Sequence, residues 1–194
     1  MEALKAIAKD KNVTFTPMFI RDNNIELGED EIAVSDAVSE ILFTKKEQSI
    51  ENMTLDTGCP PNLVSEAWLE KYLMEKNMKK EDLISNTCNQ KFRFGPSSIY
   101  ISNEQVVLPI KIKQTNGKYI KIEMEVYVVK AENIPLLCGR SALEKWEGLL
   151  NLKTKVLNIN VGEQREIQCY ESKGGHVVIP LYPEFTTEET VFSD

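Results

Sequence analysis

Met53-Thr54-Leu55-Asp56-Thr57-Gly58-Cys59-Pro60-Pro61 decides how the rest of the chain is read. An apolar run ends at Leu55, an acid follows at once, and two prolines then prevent a regular strand from continuing. Asp56 is therefore expected at a strand-to-loop transition. An isolated Asp-Thr-Gly would arise by chance in roughly one chain in twenty-five of this length, so its surroundings carry the weight. A carboxylate placed there can be held by fixed hydrogen-bond donors and paired with a second carboxylate, the two sharing one proton. The ionised member takes a proton from a bound water that attacks a carbonyl, and the protonated member hydrogen-bonds the developing oxyanion. Gly58 lets the loop backbone approach a partner closely, and Thr57 supplies a hydroxyl that can lock the loop.

Working outward, Ile41-Leu42-Phe43 followed by Lys45, Lys46 and Glu47 predicts a strand entering a polar turn, with Met53–Leu55 as the returning strand. Downstream, Ser65 is positioned to cap a short helix with Ala67, Trp68, Leu69, Tyr72 and Leu73 on its apolar side. Beyond Asn86 the chain becomes β-rich. Lys91–Phe94 and Tyr119–Val129 alternate, Val106–Lys113 partly alternates, and Asn116-Gly117 is a strong hairpin signal between the last two strands. Ser141-Ala142-Leu143-Glu144 matches a capping box and predicts a final helix of about two turns. Leu149–Leu152 and Val156–Val161 flank Lys153-Thr154-Lys155 as a terminal hairpin before Gly174-Gly175.

A second motif, Ile134-Pro135-Leu136-Leu137-Cys138-Gly139-Arg140, sets an apolar run and a glycine before that last helix. Gly139 follows Asp56 by 83 positions (139 minus 56), which leaves room for one helix and a β-rich middle. With Leu55-Asp56-Thr57-Gly58, this order of motifs resembles the retropepsin-like aspartic proteases of retroviruses and retrotransposons, over about Ser39 to Asn160. The resemblance implies a mostly β, retropepsin-like acid protease barrel, with one short C-terminal helix and an additional short helix after the catalytic loop. It implies Asp56, Thr57 and Gly58 as the catalytic triplet. Phe92 through Val107 would form a flap over the substrate, with Phe94, Gly95, Pro96, Ser97 and Ser98 as its substrate-binding tip. Gly139 and Arg140 would brace the helix and a dimer interface. Cys59 stands where that family usually has a small hydroxyl or alanine, Pro60-Pro61 is unusual, and Ser141 replaces a common acid or amide.

The sequence has no second Asp-Thr-Gly or Asp-Ser-Gly, so the paired-acid chemistry requires two chains, and a symmetric homodimer is the expected partner arrangement. An extended peptide or polyprotein is the expected substrate, cut as an aspartic endopeptidase; a catalytically inactive or domesticated dimer of the same fold that binds peptide or protein is the alternative. A net charge of -7 disfavours nucleic acid and anionic membranes as partners. Four cysteines without a CxxC pair, and a single His176, predict no metal and no cofactor. With no leader pattern and no apolar run of membrane-spanning length, the chain reads as cytoplasmic, its cysteines reduced. Cys59 has no basic partner in its motif and reads as a packed small residue, as Trp68 and Trp146 read as core. His176 lacks a matched nucleophile and reads as structural or exposed. The expected organisation is a flexible acidic leader over 1–37, the protease-like domain over 38–162 and a C-terminal extension over 163–194.

Overall fold

The computed structural model describes residues 31–34, 50–94, 98–132 and 134–182. It is mostly β with two α-helices. Twelve strands are named in chain order: β1 (Glu31–Val34), β2 (Asn52–Leu55), β3 (Leu63–Ser65), β4 (Ser85–Phe94), β5 (Ser98–Lys113), β6 (Tyr119–Val129), β7 (Leu137–Cys138), β8 (Leu149–Asn151), β9 (Val156–Val161), β10 (Glu163–Gln168), β11 (Tyr170–Glu171) and β12 (Val177–Pro180). Helix α1 spans Glu66–Glu75 and α2 spans Arg140–Lys145. The larger sheet runs β1-β4-β5-β6-β3-β7-β2-β12-β11, and the smaller runs β10-β9-β8.

The long β5–β6 ladder forms because each strand alternates. Val106, Leu108, Ile110 and Ile112 of β5 are buried, as are Ile120, Ile122, Met124 and Val126 of β6. Opposed pairs such as Ile110–Ile122 and Leu108–Met124 fix the register, since a one-residue slip would turn every apolar side chain outward. Burying each contributes about 1.5–3 kcal/mol before conformational entropy is set against it. Gly117, at φ +87°, makes the turn between the strands, and its amide donates to the Gln114 carbonyl at 3.0 Å.

Helix α1 begins where its cap was expected. The Ser65 hydroxyl accepts from the Trp68 amide at 3.2 Å, satisfying one of the donors that a helix start leaves unpaired. Trp68, Leu69, Tyr72 and Leu73 face the core, the Trp68 and Tyr72 rings stack at 4.9 Å, and the Tyr72 hydroxyl donates to the Pro109 carbonyl of β5 at 3.0 Å. The helix is thereby pinned to the main sheet.

Three sequence expectations change. The capping box at Ser141 is not formed: α2 begins at Arg140 with Gly139 as its N-cap and no side-chain cap. Its first amides are satisfied from outside, Arg140 donating to the Cys59 carbonyl and Ser141 to the Pro60 carbonyl, both at 2.8 Å. Glu144 is left to pair with Arg140 at 3.4 Å. Second, the boundary at 162 is no break in the fold. β10 continues the small sheet against β9, and β12 pairs antiparallel with β2, Val178 opposite Thr54 and Ile179 opposite Met53. Val178 and Ile179 are buried, which the short apolar run after Gly175 could only achieve against a distant strand. Third, the acidic leader contributes a strand, β1 lying parallel to β4. Among the described residues β2 is partnered by β7 and β12; the expected strand at Ile41–Phe43 lies outside them.

Candidate active site

The site is built where β2 and β7 run side by side. Thr54 stands level with Leu137 and Leu55 with Cys138 in a parallel pair, and the Thr54 amide donates to the Leu136 carbonyl at 2.9 Å. The ladder continues one residue past β2, the Asp56 amide donating to the Cys138 carbonyl at 3.0 Å. The chain then leaves β2, loops through residues 56–62 and returns as β3 on the far side of β7. A loop closing over an intervening strand has its ends held by the same neighbour, so Asp56 cannot drift.

Asp56 is 8% exposed. Its Oδ1 accepts the Gly58 amide at 3.0 Å, and its own carbonyl accepts the Cys59 amide at 3.1 Å. A buried carboxylate bonded to a fixed backbone donor is oriented before any ligand arrives. Thr57 beside it is exposed, and among the described residues its hydroxyl has no partner.

The second motif closes on the loop from below. Gly139 is buried, and a Cβ there would meet the Pro61 carbonyl oxygen at 2.1 Å and the Cys59 carbonyl oxygen at 2.7 Å. Only glycine permits this approach, which brings the α2 amides within reach of Cys59 and Pro60. Arg140 itself is largely exposed and pairs along its own helix with Glu144. Asn62 was not singled out by sequence reading, yet it ties the two motifs together. Its Oδ1 accepts the Gly139 amide and its Nδ2 donates to the Glu125 carbonyl of β6, both at 2.9 Å. A polar residue between Pro-Pro and an apolar strand was the available signal, and nothing in its spacing distinguished it from an ordinary turn residue.

Three buried thiols surround this framework. Cys59 is fully buried and donates to the Pro61 carbonyl at 3.1 Å. Burial pushes its pKa well up, with the nearby Asp56 charge and then Cys138 adding to the effect. Burial, followed by Cys169 and Asp56, likewise raises Cys138. Burial raises Cys169 to about 11, against a smaller lowering by a backbone hydrogen bond at Leu157. These groups stay as neutral thiols at neutral pH and serve as small packing residues.

The end of β4 reaches the same loop. Phe92 and Phe94 are buried in one cluster with Cys59, Leu63 and Leu137, and the Phe94 and Tyr100 rings meet edge to face at 5.2 Å. Of the expected flap tip, Phe94 is buried in that cluster and Ser98 opens β5 level with it. Gly95, Pro96 and Ser97 lie outside the described residues. His176 is half-buried, its amide donating to the Ser172 hydroxyl at 3.1 Å in the turn before β12. Among the described residues there is no group of three or more His, Cys, Asp and Glu side chains that could hold a metal ion. No described helix is long and apolar enough to cross a membrane.

No protein-family model matches the chain, and no curated protein matches it. Among solved structures, the chain is similar to the retroviral protease-like domain of Ddi1 from Leishmania major, at 15% identity and a TM-score of 0.31, over 68% of this chain and 84% of that one. So slight a likeness shows neither a family nor an activity for this chain.

Proposed function

We propose that this chain is one subunit of a homodimeric, retropepsin-type aspartic endopeptidase, with a polyprotein of its own genetic element as substrate. The observation that carries the reading is Asp56: a buried carboxylate, oriented by the Gly58 amide, at the end of a strand clamped beside the Gly139 motif. Two such acids across a two-fold axis would share one proton, one activating water and the other stabilising the tetrahedral oxyanion, with no covalent intermediate. Their apparent pKa values would belong to the pair. The single Asp-Thr-Gly in the sequence favours a second copy opposite. An extended peptide would lie between that pair and the end of the β4–β5 hairpin.

The test is cleavage of a peptide library at mildly acid and neutral pH, beside Asp56→Asn, with sedimentation run in parallel. Cleavage that survives the substitution would overturn the aspartic mechanism, and a strictly monomeric protein at high concentration would remove its second acid. A dimer that binds peptides without cutting them would assign the fold to recognition.

A further inference from the structure

The outer edge of β4 is covered by the chain's own leader. β1 adds to the larger sheet as its terminal strand, in register with the last four residues of β4. It is separated in sequence from β2 by seventeen residues and contributes to no other strand pairing in the described structure. Its pattern matches that of the edge it meets. Ile32 stands level with Phe92 and Val34 with Phe94, while Glu31 stands level with Lys91 and Ala33 with Arg93. In register, the apolar residues Ile32 and Val34 thus stand level with the buried positions Phe92 and Phe94 and the acid stands level with a base, and slipping the register by one would undo both matches. The leader that precedes β1 continues the negative charge, through Glu26, Glu29 and Asp30.

We infer that the edge of β4 at Lys91–Phe94 is a strand-accepting site for extended peptides, and that Glu31–Val34 is its displaceable occupant in cis. Strand addition takes its affinity from main-chain hydrogen bonds and its selectivity from alternate side chains. The ligand class is therefore an extended segment with apolar residues at alternate positions and acidic residues between or before them. This end of β4 packs beside the Asp56 loop, since Phe92 and Phe94 share one buried cluster with Cys59 and Leu63. This rests on reading the end of the β4–β5 hairpin as the roof of the peptide cleft: a docked leader then competes with substrate, and releasing it opens the site. A cis strand docked nine-tenths of the time weakens apparent peptide affinity about tenfold, since only the undocked fraction binds.

The experiment uses the full chain with Asp56→Asn, so that no peptide is cut, with and without the double substitution Ile32→Asp and Val34→Asp. A fluorescent synthetic peptide of residues 27–37 is titrated against each by anisotropy, and hydrogen exchange is followed over residues 91–94. The double variant binds the peptide about tenfold or more tighter than its parent, exchanges faster at 91–94 when alone, and regains protection when the peptide is added. Equal affinity in both chains, no binding to the variant, or protection gained elsewhere than 91–94 would overturn the inference. A variant with Lys91→Glu and Arg93→Glu, which leaves the leader intact, supplies a second arm. It loses affinity for the acidic peptide but not for one with lysine at the Glu29, Asp30 and Glu31 positions, and equal loss for both also overturns the inference. None of these readouts needs catalysis, so an inactive protein would sink the protease reading and leave the strand site standing.

Discussion

Gly139 and Pro61 approach so closely that a methyl group on the glycine would sit 2.1 Å from the proline carbonyl oxygen. The obstacle is backbone, which no side-chain rotation relieves. Gly139→Ala must therefore push α2 away from the Asp56 loop and break the Arg140–Cys59 and Ser141–Pro60 hydrogen bonds. A loss of about 3 kcal/mol or more is expected, at the upper end of overpacking costs. Urea unfolding of the two proteins measures it, and a shift below about 1 kcal/mol would show that the contact yields easily.

Asn62 makes a subtler prediction. Replacing it by alanine strands the Gly139 amide and the Glu125 carbonyl, and the first of these is buried. Leaving such groups unpaired costs about 1–3 kcal/mol each. Asn62→Ala is expected to lose about 2–4 kcal/mol, and Asn62→Asp to recover part of it, because the acid keeps the acceptor for Gly139 and loses the donor to Glu125. Equal destabilisation by both would place the importance of Asn62 in its donor to the Glu125 carbonyl, the one bond that both variants lose.

Asp56→Asn separates chemistry from structure. The amide keeps an oxygen that can accept from the Gly58 amide and fills the same volume, so unfolding free energy should stay within about 1 kcal/mol of the parent. Peptide cleavage, by contrast, should fall at least about a hundredfold, the scale of a lost acid–base group. If folding suffers as severely as cleavage, the carboxylate is acting as a structural anchor.

The buried thiols make stability fall on the alkaline side. In the unfolded chain they ionise near pH 8.5, whereas burial raises all three in the folded state, Cys169 to about 11. Below about pH 8.5 both states hold these protons and the stability contribution is complete. Above it the unfolded chain releases them first, and stability falls by about 1.4 kcal/mol per pH unit for each thiol. For Cys169 that decline ends as pH passes its folded value of about 11. Urea melts from pH 7.5 to 10.5 test this: Cys169→Ala should flatten the slope by one thiol's share, and a profile unchanged by the substitution counts against the assignment.

What could be read from the sequence was what neighbours in the chain decide. The strand ending at Leu55, the Ser65 cap, the Asn116-Gly117 turn and the alternation of β5 and β6 are local patterns, and each is present in the fold. The failures are long-range. Ser141 and Glu144 satisfy every local rule for a capping box, but the Cys59 and Pro60 carbonyls, some eighty positions earlier, had already taken the amides at that helix start. Val177–Pro180 and Glu31–Val34 are too short to announce themselves as strands, and each is defined by a partner far away in sequence. The same holds within the site. Asp56 and Gly139 could be found from motifs, whereas Asn62, which joins them, has no pattern of its own.

The pairing of β12 with β2 also imposes a timetable. Thr54 meets Val178, which the ribosome adds 124 positions later (178 minus 54). At roughly 5–20 residues per second, the strand that leads into Asp56 waits about 6–25 s with that flank open. Throughout that interval Met53 lacks the neighbour that seals it in the finished protein. A nascent chain therefore carries its carboxylate long before it carries a rigid seat for it, which delays assembly of the site until translation has passed Pro180.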